Sequence, residues 1–127
     1  TLESLYWYGV KLMQGNTSAE VNIKQWDAYE INANDVTAEQ SIDAIIHYLE
    51  SKHEQVLMGS TQIIIAPGYS FKLVDMLITN FHQPENTLML LIAAFVGDNW
   101  RKIYNHALTN NYRFLSYGDS SLLFKHT

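Results

Sequence analysis

The sequence predicts an α/β protein, with a mixed or largely parallel sheet flanked by helices. Three observations lead there. A run ending in Ile63, Ile64 and Ile65 stops at Pro67-Gly68 and reads as a strand buried on both faces. Two stripes at helical spacing, Ile42-Ile45-Ile46-Leu49 and Trp100-Ile103-Tyr104-Ala107-Leu108, read as amphipathic helices. Strands and helices then alternate along the chain, as in layered α/β architectures. With 127 residues, 47% of them apolar, and only 2 prolines and 6 glycines, the chain has the composition of one globular domain and not of a disordered tail.

Taken in order, Leu2, Leu5, Tyr6, Gly9 and Met13 share a helical face, which predicts a first helix ending near Gln14-Gly15. Residues 16–36 are rich in Asn and lack a sustained period. They predict a loop, with a short strand or hairpin around residues 26–31. Thr37 and Gln40 have the spacing of a capping box, so a second helix is expected over 37–53. After Gly59, the strand "TQIIIA" should run into a tight turn. Residues 72–81 (KLVDMLITNF) predict a second interior strand toward their end, with a short helix near 72–76 as the alternative. Pro84 stops that element, since proline has no amide proton for a ladder and suits a first helical turn. A buried helix follows through Val96 and ends at Gly97. Asp98 is placed to cap another, which ends at Asn110-Asn111. "RFLSYGDSSLLF" supplies a last strand or hairpin. The "TQIIIA" and "LITNF" strands are expected to be neighbours in one sheet, with residues 88–96 packed against it.

Composition excludes several chemistries. There is no cysteine, so there are no disulfides, thiolate metal sites or Cys nucleophile, which suits a reducing compartment. The longest apolar stretch, residues 88–96, is too short to cross a bilayer as a helix. Residues 1–58 carry nine acids against three lysines, a balance of −6, whereas residues 59–127 balance at +1. No dense basic stripe is present, and charge by itself gives no support for an RNA partner. No metal-ligand spacing emerges. Gly9 and Gly15 are isolated, and Ser116 lacks a nucleophile-elbow pattern. His47, His106 and His126 read as surface residues, and Trp7, Trp26 and Trp100 as core or interface anchors. The chain starts at Thr1 without Met or a leader, so it is expected to be a piece of a longer protein.

The most informative stretch is "TNFHQPENTL", residues 79–88, where a strand should give way to a helix. Ligands of open α/β sheets collect beyond strand carboxyl ends, where helix N-termini offer free amides. Thr79, Asn80, His82, Asn86 and Thr87 would lie there, with donors and acceptors for a carboxylate, phosphate or ribose. On the other reading, Asn80 and Asn86 cap backbone groups and His82 is a satisfied structural histidine.

Residues 61–124 resemble the C-terminal part of the S-adenosylmethionine:tRNA ribosyltransferase-isomerase family of queuosine biosynthesis. The resemblance is carried by Pro67-Gly68, Val74-Asp75, "TNFHQPENTL", Ala94-Phe95, Gly97, "YRF" at 112–114 and "SYGD" at 116–119. "TLES" at 1–4 is similar to a further segment of that family. The likeness covers positions 1 to about 13 and 59–127, and residues 14–58 look like an acidic subgroup insertion. Family members are more than twice this length, so the resemblance implies the C-terminal α/β portion of a larger two-domain protein whose N-terminal region is absent.

The resemblance implies a cytoplasmic enzyme. S-adenosylmethionine would be the ribosyl donor, its ribosyl unit passing to 7-aminomethyl-7-deazaguanine at the tRNA wobble position to give epoxyqueuosine, with no metal. Such a site needs a base, a donor for the departing adenine, an anchor for the methionine carboxylate and a pocket for an unstacked base. His82 fits the acid/base role, because imidazole titrates near working pH. Asp75 or Asp119 would orient it or contact ribose hydroxyls. Thr79, Asn80, Asn86, Thr87 and Tyr117 would bind substrate, with Asn80, His82 and Thr87 converging on a cleft shared with Tyr117 and Asp119. Asp75 as a solvated turn residue, and "SYGD" as a tight turn with Gly118 at positive φ, are the competing readings. The fragment alone would be inactive, would expose apolar surface where the N-terminal region docks, and could pair as a homodimer there. A catalytically silent relative that binds a nucleotide or protein, and an interaction module built on the acidic insertion, are the other function classes.

Overall fold

The computed structural model describes residues 1–16, 20–83 and 85–126. The chain divides into two compact units, Thr1–Ile63 and Ile64–Thr127, where composition predicted one domain. Each half closes a core of its own. The α/β class holds, with helices on small sheets. The strands, however, form one parallel and one antiparallel pair.

In the first unit, α1 (Leu2–Met13) buries Glu3, Ser4, Tyr6, Trp7, Tyr8 and Val10, while Leu2 and Met13 are exposed. The buried face is therefore rotated from the predicted stripe. Large aromatic rings outweigh the aliphatic positions, since they bury the most area and their hydroxyls find partners. Tyr6 Oη donates to the Val36 carbonyl at 2.8 Å, and Tyr8 Oη to that of Ser60 at 2.7 Å. Against α1 lies α3 (Ala38–Lys52), which starts with the predicted capping box. Gln40 N donates to Thr37 Oγ1 at 3.1 Å, and Thr37 N to Gln40 Oε1 at 2.9 Å. It stops at His53 in the left-handed region. Gly9 lets the two helices meet, because a Cβ there would overlap the carbonyl and hydroxyl of Ser41.

In the same unit, β1 (Val21–Ile23) pairs in parallel with β2 (Gly59–Thr61). Residues 26–31 were expected to hold the strand or hairpin. They form instead a single helical turn, α2 (Asp27–Glu30). Asp27 explains it, since its buried carboxylate accepts from Lys24 N at 2.7 Å and Lys11 Nζ at 2.5 Å. Trp26 is half exposed and no core anchor, whereas Trp7 is buried.

In the second unit, Pro67-Gly68 makes the expected turn, with Tyr69 N donating to the Ala66 carbonyl at 3.1 Å and Gly68 at φ +99°. The expected pairing of "TQIIIA" with "LITNF" is overturned. β2 ends at Thr61 and is paired with β1, while β3 (Met76–Asn80) pairs antiparallel with β4 (Ser120–Phe124). Nor is β3 an interior strand, because Met76 and Ile78 face outward. α4 (Thr87–Val96) and α5 (Asn99–Thr109) complete the unit around Phe81, Ile92, Phe95, Val96, Tyr104, Ala107 and Leu123. The expected stop at Pro84 lies outside the described residues. Asn86 caps α4, its Oδ1 accepting from Leu88 N at 3.0 Å, and Gly97 ends it at φ 58°. Asp98 makes no side-chain cap bond and pairs with Arg101 at 3.4 Å. Among the described residues, no helix is long and apolar enough to cross a membrane.

Candidate functional site

The carboxyl end of β3 and the loop before β4 are tied together by backbone. Leu115 N donates to the Phe81 carbonyl at 2.8 Å, and Phe81 N to the Asp119 carbonyl at 3.3 Å. Phe81 is buried, with the rings of Tyr104, Tyr112 and Phe114 at centroid distances of 5.4, 5.6 and 5.7 Å. That aromatic nest fixes the residue preceding His82.

Asn80 is consumed as a clamp. Its Nδ2 donates to the carbonyls of Leu115 and Ser116 at 3.2 and 3.4 Å, and its Oδ1 accepts from Ser120 Oγ at 2.6 Å. Asp119 closes the loop on itself: Oδ2 accepts from Arg113 N at 2.7 Å, and Oδ1 lies 3.7 Å from the Arg113 guanidinium. The left-handed residue of this loop is Leu115, at φ 70°, and not Gly118 as the tight-turn reading expected. Glycine is needed at 118 for a different reason, since a Cβ would overlap the Arg113 carbonyl.

His82 is half-buried beside this clamp. Its Nε2 lies 3.1 Å from Thr79 Oγ1, which is itself 3.3 Å from the Asn80 carbonyl oxygen. The His82 amide donates to Tyr104 Oη at 3.2 Å. Burial pushes the Tyr104 phenol up from its ordinary pKa, against the opposing pull of that bond. The structure therefore brings Thr79, Asn80, His82 and Asp119 to one strand end. It does not gather the rest. Asp75 precedes β3 at the opposite end of the strand, four or five residues and roughly 15 Å away, and accepts from Lys125 Nζ at 2.7 Å. Asn86 is spent on its cap, Thr87 is exposed, and Tyr117 is 96% exposed on the loop. Among the described residues, no hydrogen bond joins Thr87 or Tyr117 to the His82 group, and Asp119 reaches Arg113 in place of His82.

Sequence reading missed Tyr104 as a member of the site. Its place on the apolar face of α5 marked it for the core, and its hydroxyl was the one signal that it had a second task. Tyr104 also lines a hollow of about 450 Å³ with Met89, Trp100, Arg101 and Leu108, where the Arg101 guanidinium sits 5.0 Å from the Trp100 ring. That volume falls within the range of small-molecule pockets. Among the described residues, no three His, Asp or Glu side chains are grouped as a metal-ligand set.

Comparison with known proteins gives a consistent answer. The family described as queuosine biosynthesis protein matches residues 12–123. The S-adenosylmethionine:tRNA ribosyltransferase-isomerase of Dichelobacter nodosus is 55% identical over 69 residues, 54% of this chain and 20% of that protein. That of Magnetococcus marinus is 54% identical over 71 residues, covering 55% of this chain and 20% of the relative. The one from Acidiphilium cryptum is 58% identical over 66 residues, covering 51% and 19%. The matched stretch thus spans about a fifth of these relatives. The crystal structure of an S-adenosylmethionine tRNA ribosyltransferase from Thermotoga maritima is similar at a TM-score of 0.50 and 29% identity, covering 66% of this chain and 38% of that one.

Proposed function

The chain belongs to the queuosine biosynthesis protein family, and from that premise we propose that it is the C-terminal part of an S-adenosylmethionine:tRNA ribosyltransferase-isomerase. The full-length protein would act in the cytoplasm. It would transfer and isomerise the ribosyl moiety of S-adenosylmethionine onto 7-aminomethyl-7-deazaguanine in tRNA. The observation that supports this reading best is local: the "TNFH" string ends β3 with Thr79 on the His82 imidazole and the "SYGD" loop bonded to the same strand end.

His82 is the acid/base group of this proposal. A half-buried imidazole anchored through its own amide and one ring nitrogen loses little freedom when it takes a proton from the carbon beside a sulfonium. Asn80 and Asp119 hold the loop that presents Tyr117, an exposed ring suited to stacking on an unpaired base. Asp75 has no part in it, given its place at the far end of β3. Residues 14–58 are proposed as a subgroup insertion, carrying eight of the 13 acids. The N-terminal region of the full-length protein would supply the remaining substrate contacts.

The test uses the full-length protein, S-adenosylmethionine and tRNA bearing the 7-aminomethyl-7-deazaguanine precursor. Mass spectrometry of the digested tRNA should find epoxyqueuosine, with adenine and methionine released in equal amounts. Tight binding of S-adenosylmethionine with no modified nucleoside would favour a catalytically silent relative.

A further inference from the structure

We infer that Thr79 is a positioning residue whose hydroxyl holds His82 in the tautomer protonated at Nε2, leaving Nδ1 as the lone pair that the site presents. The inference deepens the reading of His82 as the acid/base group and rests on it.

The number of protons available fixes the tautomer. Thr79 Oγ1 lies 3.1 Å from His82 Nε2 and 3.3 Å from the carbonyl oxygen of Asn80. A hydroxyl has one proton to give, and a carbonyl can only accept. Both bonds form in a single arrangement, in which the hydroxyl donates to the Asn80 carbonyl and Nε2–H donates to Oγ1. The reverse, with the hydroxyl donating to Nε2, leaves the carbonyl contact unmade and requires the less populated tautomer of free histidine. A partner on one ring nitrogen thereby decides the state of the other.

Both residues are also held from behind. Ser121 Oγ donates to the Thr79 carbonyl at 3.2 Å, and the His82 amide donates to Tyr104 Oη at 3.2 Å. Neither can shift without breaking a second bond. Among the described residues Nδ1 has no hydrogen-bond partner. It is the nitrogen left for a bound molecule. In the proposed reaction the proton beside the sulfonium would arrive at Nδ1, its electron pair staying on the carbon, and the resulting imidazolium would be stabilised by the Nε2–H bond to Thr79.

The test reads the tautomer directly, by long-range ¹H–¹⁵N correlation of the histidine rings of the 127-residue chain in mildly alkaline solution. The His82 signals are assigned by comparison with His82→Gln. The unmutated chain and Thr79→Ser should show His82 as one tautomer, protonated at Nε2, and Thr79→Val should shift it toward the mixture of free histidine. In the full-length protein Thr79→Val should lower kcat by about tenfold or more with KM little changed, and Thr79→Ser should recover most of it. An Nδ1-protonated ring in the unmutated chain overturns the inference, even if Thr79→Val does not fold. So does a Thr79→Val spectrum identical to the unmutated one. Should the tautomer be as inferred while His82→Ala keeps full turnover, the acid/base reading fails alone.

Discussion

The amide of His82 donates to the hydroxyl of Tyr104 at 3.2 Å, so the residue after the strand end is fastened to α5 by a phenol that is otherwise buried. Tyr104→Phe keeps the ring and removes the acceptor. The expected result, read by urea denaturation of the chain, is a loss of about 1 kcal/mol, the usual net worth of such a bond. Turnover of the full-length protein should fall by less than in His82→Ala, since the imidazole keeps its bond to Thr79.

Gly9→Ala tests the closest approach in the first unit. A methyl there would overlap the Ser41 carbonyl and hydroxyl, and Ser41 Oγ also donates to the Tyr6 carbonyl at 2.5 Å. The helices must separate, at a cost of about 1–3 kcal/mol, which calorimetry would register as a lower melting temperature.

Asp27 predicts an acid limb of stability. Burial alone would raise its pKa, but the Lys11 bond, the Lys24 amide and the charges of both lysines together hold it below the usual carboxylate value. The folded state thus binds this proton less readily than the unfolded chain. The contribution is present above the ordinary carboxylate range and is lost as pH falls through the lowered pKa. Asp27→Asn should flatten that part of a stability-against-pH curve measured by denaturant midpoints. An unchanged acid limb contradicts the assignment.

The outer face of the β3–β4 pair carries Met76 opposite Phe124 and Ile78 opposite Leu122, with Ile78 75% exposed. Alternate residues share a face, so these four form one apolar patch. The isolated chain should therefore bind ANS, and Ile78→Lys with Leu122→Lys should abolish most of the fluorescence gain.

The four longer helices were legible because their signals are local, whereas the single turn of α2 was not. Thr37 and Gln40 cap α3 as their spacing predicts, and Gly97 ends α4. The strands were not: the three isoleucines at 63–65 looked like a buried strand, yet β2 stops at Thr61 and residues 62–66 carry no strand, and nothing in "LITNF" says that its partner will be β4. The short strand at residues 21–23 escaped notice, as three residues are too few to show a period. At the site, "TNFH" and "SYGD" were recognisable as a pair from family resemblance. The division of labour inside them, with Asn80 and Asp119 spent on the loop and Thr79 turned to His82, depends on bonds between residues up to 40 positions apart. Spacing cannot carry that.

The most direct test of the central claim is the turnover of full-length His82→Ala, measured beside its melting temperature. If His82 is the acid/base group, turnover falls by about 10²-fold or more and the melting temperature barely moves. Activity that persists while stability drops by about 1–3 kcal/mol would contradict the account and make His82 a structural partner of Thr79.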